Sequence, residues 1–163
     1  MRHGIALPLD DPSVGHDTER PLSDKGAKRI RKAAKGLRQL DIRFDCILTS
    51  PLPRARQTAE IVASAVGVTD RLEEISGLAP ESTVDHLLFG LTRYQDRDHL
   101  LLVGHEPLLG DTAARLLGGR QDAGVRLSFK KGSLCRVEIA GLPPAGPAKL
   151  HWVLTPKQLR MLG

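Results

Sequence analysis

The chain has 163 residues, with 24 Lys and Arg against 19 Asp and Glu, a net charge of +5 and an isoelectric point near 9.6. Its content of 40% hydrophobic and 26% charged residues excludes a disordered protein, and its length suits one domain over residues 1–163. Two cysteines are too few for a disulfide framework, and the longest apolar run, Leu100–Val103, is far short of the roughly 20 residues that span a bilayer. Nothing at the N-terminus resembles a signal peptide, so we expect a cytoplasmic protein without a membrane partner.

The first predicted elements are a helix, a strand and a second helix. Apolar residues at spacings of three and four over residues 22–40 predict an amphipathic helix with Ser23 as its N-cap. The apolar run over 45–49 predicts a buried strand. A helix should follow it, with Ser50 as the cap and Pro51 in the first position, and should end at Gly67.

The remainder of the chain continues this alternation. We predict a short strand over 71–75, a short helix over 82–91, a buried strand over 99–103 and a helix from about 106 to 117 that ends at Gly118-Gly119. Segments 125–129 and 133–139 should form a hairpin around the turn at 130–132, and 149–154 a last strand. The alternation predicts an α/β sandwich whose central sheet is mostly parallel but mixed.

Basic and imidazole side chains follow the predicted strands. Arg54 comes shortly after the strand over 45–49, and His105 directly after the strand over 99–103. The segment Arg2-His3-Gly4 stands where a first strand would have just ended. Because ligands bind beyond the carboxyl ends of the strands in open α/β sheets, these groups should meet at one edge.

This set of side chains suits a dianionic phosphoryl group. Arginine presents a planar fork that matches phosphate oxygens, and the helix starts near 51 and 106 favour an anion. A neutral imidazole is a nucleophile at physiological pH. Gly4 would let the backbone approach the phosphate closely.

Three motifs resemble the histidine phosphatase superfamily, the group that includes the phosphoglycerate mutases. They are Arg2-His3-Gly4, the segment 50–60 (SPLPRARQTAE) and the segment 103–107 (VGHEP). Within that superfamily the chain is most similar to the small SixA-type phosphohistidine phosphatases. Further points of similarity are residues 17–23 with Gly26, the turn at 78–80 and the tail at 152–156. The resemblance covers nearly the whole chain and implies a three-layer α/β/α sandwich.

The resemblance also implies roles for four residues. His3 would attack phosphorus and become a phosphohistidine, while Arg2, Arg54 and His105 would hold the phosphoryl oxygens; water would then release inorganic phosphate. We expect the second ring nitrogen of His3 to donate to a backbone carbonyl, and His105 to tend toward its protonated form beside the phosphate. No metal or other cofactor is implied, because the arginines supply the positive charge.

The sequence departs from the family pattern at two points. Only Met1 precedes Arg2, where relatives carry an apolar strand, so we expect the natural chain to start further upstream; the intact mass of the native protein tests this. Larger relatives use a glutamate after the third strand as general acid, and Glu73 and Glu74 are weak candidates for that role. A phosphohistidine substrate needs such an acid less, because a protonated imidazole is a reasonable leaving group.

The segment from 76 to 98 is short, which predicts an open site that admits a side chain of another protein. A phosphohistidine-bearing protein is therefore the expected partner, and the basic helix over 23–39 would favour an acidic surface on it; the alternative for that helix is a solvated face. The alternative function is a small-molecule phosphomonoesterase. A catalytically inactive phosphohistidine-binding domain, a histidine-based metal site and a nucleic-acid-binding module are further alternatives, the last disfavoured because the five aromatic residues are scattered.

Overall fold

A computed structural model of the protein describes residues 1–118 and 126–163. Five helices and five strands, apart from short 3₁₀ turns, make up this part of the chain. In chain order they are α1 (Asp24–Arg38), β1 (Cys46–Thr49), α2 (Pro53–Val66), β2 (Leu72–Glu74), α3 (Val84–Leu91), β3 (Leu100–Val103), α4 (Leu108–Gly118), β4 (Leu134–Glu138), β5 (Lys149–Leu154) and α5 (Pro156–Met161).

The central sheet is parallel, in the order β2-β1-β3. β4 and β5 pair antiparallel beside it. The N-terminal residues connect the two groups of strands: Arg2 forms a parallel bridge with Gly104, and its N–H donates to the carbonyl of Ser133 at 3.1 Å. The predicted α/β sandwich with mostly parallel and some antiparallel strands is therefore confirmed.

Met1 to His3 fill only the last part of the space between β3 and β4. Below them a cleft of about 190 Å³ runs along both strands, with residues 98–102 on one wall and residues 133–137 on the other. Within the described residues, the backbone of β3 is paired on this side only near its carboxyl end, where the Met1 amino group contacts the carbonyl of Leu102 at 2.6 Å.

The core lies in two layers, one on each face of the sheet. Ile47, Leu101 and Val103 face the first layer, which α1, α2 and α5 cover. Leu48 faces the second layer, which α3 and α4 cover. Successive side chains of a strand point to opposite faces, so a strand with helices on both faces is buried on both. The fold therefore has three layers, with the sheet between two layers of helices.

Three predictions about elements need correction. Residues 126–129 are not a strand, and β4 pairs with β5 instead, because the turn after Phe129 is held by the N-terminal segment. Position 125 and Gly119 lie outside the described residues. α2 begins at Pro53 after Leu52 as N-cap, two residues later than expected. The sequence analysis did not predict α5, although Thr155 and Gln158 form a capping box there and Pro156 takes the first helical position.

The other boundaries agree closely with the predictions. Ser23 caps α1 by accepting from the N–H of Gly26 at 3.1 Å. α2 ends at Gly67, whose φ of 77° is the left-handed conformation that favours glycine at a helix end.

Candidate active site

The three predicted segments meet beyond the carboxyl ends of β1 and β3. The N–H of His3 donates to the carbonyl of Gly104 at 3.0 Å, which places the N-terminal segment beside the end of β3. Ser50 follows β1, and its N–H donates to the carbonyl of Val103 at 3.0 Å. The turn at 130–132 closes over this point, because the N–H of Gly132 lies 3.0 Å from the carbonyls of both Arg2 and His3.

His3 is buried and has a defined tautomer. Its Nδ1 lies 2.7 Å from the carbonyl oxygen of Gly4. Since a carbonyl only accepts, Nδ1 carries the proton and donates as expected, which leaves the lone pair on Nε2. Burial, together with the charges of Arg54, Arg2 and Lys131, lowers the pKa of His3 to about 4, although the bond to Gly4 opposes this shift. The ring is therefore neutral at physiological pH and can act as a nucleophile.

His105 lies next to His3, with 4.9 Å between the ring centroids and an angle of 53° between the ring planes. Its Nε2 is 2.9 Å from the hydroxyl of Ser50. The expectation that His105 is protonated applies to the ring beside a phosphate, and it stays a prediction. Burial lowers the pKa of His105 to about 3, and the neighbouring His3, Arg54 and Arg2 add to this shift, while the charge of Asp17 opposes it.

Arg54 lies in the first turn of α2 and is 6% exposed. Its guanidinium makes a fork with Asp17: Nη1 donates to the carbonyl oxygen at 2.7 Å, and Nη2 to Oδ2 at 3.1 Å. Asp17 also accepts from Nη1 of Arg20 at 2.7 Å, and this hydrogen bond together with the charge of Arg54 lowers the pKa of Asp17. The half-exposed carboxylate thus fixes both arginines, a role that the sequence analysis did not assign to Asp17.

Arg2 is anchored on the opposite side of the site. Its Nη1 donates to the carbonyl of Phe129 at 2.6 Å, while its Nε is buried without a hydrogen-bond partner in residues 1–118 and 126–163. Burial raises the pKa of the neighbouring Glu106 carboxyl, although a hydrogen bond from the N–H of Phe129 and the charge of Arg2 oppose this. An unpaired buried donor is costly, and an anionic oxygen close to Arg2 would remove that cost.

Thr58 connects the N-terminal segment to α2. Its hydroxyl accepts from the N–H of Gly4 at 3.0 Å and donates to the carbonyl of Arg54 at 2.7 Å. The N–H of Gly4 is therefore engaged by Thr58. A Cβ at Gly4 would lie 2.7 Å from Cγ1 of Ile30, so close packing against α1 is the constraint that the structure places on this glycine. The sequence analysis did not identify Thr58 as part of the site, although it lies within the motif over 50–60.

Both proposed general acids contact side chains outside the histidine pair. Glu73 accepts from the hydroxyl of Tyr94 at 2.7 Å, and Glu74 lies 3.5 Å from Nη1 of Arg56. Among the described residues, no hydrogen bond or ion pair connects either carboxylate with His3 or His105. The carboxyl group that the charge of Arg2 influences is that of Glu106, whose Oε1 is buried.

The neutral rings of His3 and His105 lie beside the guanidinium groups of Arg2 and Arg54. This arrangement suits an anion, and Nε2 of His3 is the nitrogen that can act on it as a nucleophile. Over the described ranges, no group of three or more His, Cys, Asp or Glu side chains could hold a metal ion, and no helix is long and apolar enough to cross a membrane.

Comparison with known proteins agrees with this geometry. Residues 1–83 match the family model of the histidine phosphatase superfamily, branch 1. The chain belongs to that superfamily, and this makes it a phosphatase of the histidine phosphatase type.

The chain is also similar to individual members. It is 41% identical over 136 residues to an uncharacterized protein of Picosynechococcus sp., covering 82% of this chain and 79% of that protein. It is 29% identical to the phosphohistidine phosphatase SixA of Escherichia coli K12, over 99% of this chain and 94% of the relative. The solved structure of the protein histidine phosphatase SixA complexed with tungstate superposes with a TM-score of 0.83 and 25% identity, covering 98% of this chain and 96% of the other. The predicted resemblance to SixA-type proteins is confirmed.

Proposed function

We propose that the protein hydrolyses phosphohistidine carried by another protein, through a covalent phosphohistidine at His3. The observation that carries this proposal is the buried, neutral His3, whose Nδ1 is fixed by the carbonyl of Gly4 and whose ring lies 4.9 Å from that of His105. The similarity to the phosphohistidine phosphatase SixA of Escherichia coli supports phosphohistidine as the substrate.

In the first step, the lone pair on Nε2 of His3 attacks phosphorus. A new P–N bond forms there as the P–N bond of the substrate breaks, and the substrate imidazole leaves with the bonding electron pair. It leaves as a neutral ring when its other nitrogen carries a proton. The hydrogen bond from Nδ1 of His3 to Gly4 stabilises the positive charge that develops on the His3 ring.

Arg2, Arg54 and His105 hold the phosphoryl oxygens during transfer. Arginine side chains stabilise a phosphoryl group in transfer by matching its charge and geometry, so we propose that no metal is needed. His105 is neutral without an anion, and a bound dianion would raise its pKa and allow it to donate to an oxygen.

In the second step, water attacks the phosphorus of phospho-His3. The P–N bond to Nε2 breaks, inorganic phosphate leaves, and the bonding pair returns to Nε2. The same three side chains hold the oxygens again, because the phosphoryl group transfers within one site.

A protein substrate requires an open approach to His3. The segment 76–98 carries α3, whose Leu87 and Leu91 pack into the second core layer with Leu78. The segment therefore packs against one face of the sheet. This packing supports the expectation that the segment does not cover the site.

The test compares turnover of a phosphohistidine peptide with turnover of p-nitrophenyl phosphate, a small phosphate ester. We expect wild type to favour the phosphohistidine peptide in kcat/KM and His3→Ala to lose activity on both substrates. A preference for p-nitrophenyl phosphate that depends on His3 would instead favour the alternative, a small-molecule phosphomonoesterase. Full activity of His3→Ala on either substrate would contradict the nucleophile assignment.

A further inference from the structure

A basic groove lies next to the candidate active site, along α1 and α5. It has a volume of about 600 Å³ and shares Arg2, Gly4 and Lys131 with the surroundings of His3. Six basic residues line it: Arg2, Arg29, Lys130, Lys131, Lys157 and Arg160. No carboxylate lines it, and none of the six is in an ion pair with an acidic side chain of residues 1–118 or 126–163.

These charges come from four separate segments, the first being the N-terminal segment with Arg2. Arg29 projects from α1, Lys130 and Lys131 from the turn that covers His3, and Lys157 and Arg160 from α5. Uncompensated cations around a concave surface create a positive potential that attracts an anion. Lys131 belongs to both surroundings, because it lines the groove and its charge is among those that lower the pKa of His3.

The apolar residues of the groove favour an acidic polypeptide over a single-stranded nucleic acid. Ile5, Ile30, Ala33 and Pro156 form its apolar part, and no aromatic side chain of the described residues lines it. Single-stranded nucleic acids are bound by stacking of bases on aromatic rings, and this groove provides none. An extended polypeptide with acidic side chains can meet both the apolar floor and the cationic walls.

We propose that this groove binds an acidic segment of the protein substrate next to its phosphohistidine. The inference rests on the proposed function, because the groove adjoins the proposed site of phosphoryl transfer through Arg2, Gly4 and Lys131. The proposal assigns substrate binding to Arg29 of α1 and not to the other basic residues of that helix named below. Arg29 lines the groove, whereas Lys28, Arg31 and Lys35 on the same helix do not.

The test uses two double variants with the same change in net charge. Arg29→Glu with Lys157→Glu reverses two groove cations, and Lys28→Glu with Arg31→Glu reverses two cations of α1 outside it. Two fluorescent phosphohistidine peptides are compared, one with Asp and Glu around the phosphohistidine and one with Ser and Gln there. Binding is followed by fluorescence anisotropy with His3→Ala as background, and turnover by release of inorganic phosphate with the active protein.

We expect wild type to prefer the acidic peptide, and the groove variant to lose this preference in Kd and kcat/KM by about tenfold, since two attractions become repulsions. The control variant should keep the preference within about twofold. Arg29→Gln with Lys157→Gln should give an intermediate loss, which keeps the test valid if the charge reversal destabilises the fold. An equal effect of both double variants, or the absence of any preference in wild type, would overturn the proposal.

The outcome separates this inference from the proposed function. A groove-dependent preference in binding without hydrolysis of either peptide would contradict the function and support the groove. Equal hydrolysis and equal binding of both peptides would support the function and contradict the groove. Single-stranded DNA that competes with the acidic peptide at equal concentration would also count against a polypeptide occupant.

Discussion

His3 and His105 occupy positions where a proton on the ring is costly. Both are buried, and the nearest charged groups are guanidinium groups, so the neutral form of each ring is favoured. The same environment favours a bound anion, because Arg2 and Arg54 attract it. No proton has to leave the ring of His3 before the ring attacks, since the ring is already neutral. The chemistry of the site therefore follows from burial and charge at the level of single residues.

This environment predicts an unusual pH dependence. With p-nitrophenyl phosphate, and after correction for the ionisation of the substrate, kcat/KM should stay level from pH 7 to pH 5. It should fall as the pH drops through about 4, where His3 takes up a proton and loses its lone pair. An acid limb centred near 6.5, the ordinary pKa of histidine, would show that His3 is not desolvated as described.

Thr58 offers a second prediction. Thr58→Val keeps the size of the side chain but leaves the N–H of Gly4 without its acceptor, so we expect a loss of about 1–3 kcal/mol in the free energy of unfolding. Activity should fall as well, because His3 adjoins Gly4. Thr58→Ser retains the hydroxyl and should keep most of the stability and most of the activity. Urea unfolding and turnover assays on the two variants check this prediction. Equal stability of Thr58→Val and wild type would contradict the coupling between Gly4 and α2.

The structure brings together the four residues predicted for the site, and they could be predicted because each follows a strand or lies in a family motif. The sequence did not predict the contacts between them. The pairing of Asp17 with Arg54, and of Ser50 with His105, depends on how distant segments pack, and no local pattern encodes that distance. The lowered pKa of His105 could not be predicted for the same reason, since it depends on burial and on neighbours that only the fold brings close.

At the scale of elements, α1 and α5 are joined by close contact at Gly36. A Cβ at this position would collide with the carbonyl oxygen of Leu159 on α5. Gly36→Ala should therefore separate the two helices and destabilise the protein, although alanine is the better helix former. Gly90→Ala is the matched control, because a Cβ there meets nothing within 4 Å and should add about 0.5–1 kcal/mol through helix propensity.

Thermal unfolding of the two glycine variants checks this prediction. The melting temperature should fall for Gly36→Ala and stay level or rise for Gly90→Ala. Equal shifts in both variants would contradict the close approach of α5 to α1.

The predicted elements were most accurate where the signal is local. The cap at Ser23 and the stop at Gly67 are consequences of backbone chemistry, and both are present. The prediction of a hairpin over 125–139 was wrong because strand pairing is not local. β4 pairs with β5, which begins eleven residues after β4 ends, and the turn before β4 contacts Arg2 and His3. α5 was overlooked because a six-residue helix shows too short a periodicity, although its capping box was visible in the sequence.

At the scale of the whole molecule, the two histidines link stability to pH. Their pKa values in the folded protein, about 4 and about 3, lie below the ordinary value of 6.5. Below pH 6.5 the unfolded chain takes up protons that the folded protein does not, so the free energy of unfolding should fall as the pH drops from about 6.5 toward 4. Each histidine contributes at most about 1.4 kcal/mol per pH unit.

Urea unfolding between pH 7.5 and 4 measures this dependence. Replacing both residues, by His3→Gln with His105→Gln, removes these two titrating groups and should make the decline less steep. An undiminished decline in the double variant would mean that other groups cause the loss of stability.

The central claim is that His3 carries the phosphoryl group during turnover, and trapping of the phosphoenzyme tests it most directly. The protein is mixed with a phosphohistidine peptide, quenched within milliseconds in alkaline denaturant, digested and analysed by tandem mass spectrometry. We predict one added phosphoryl group on His3 that is lost in acid, and none in His3→Ala or in a sample without substrate. Rapid turnover of the peptide with no phosphoryl group on His3, or with the group on another residue, would contradict the account.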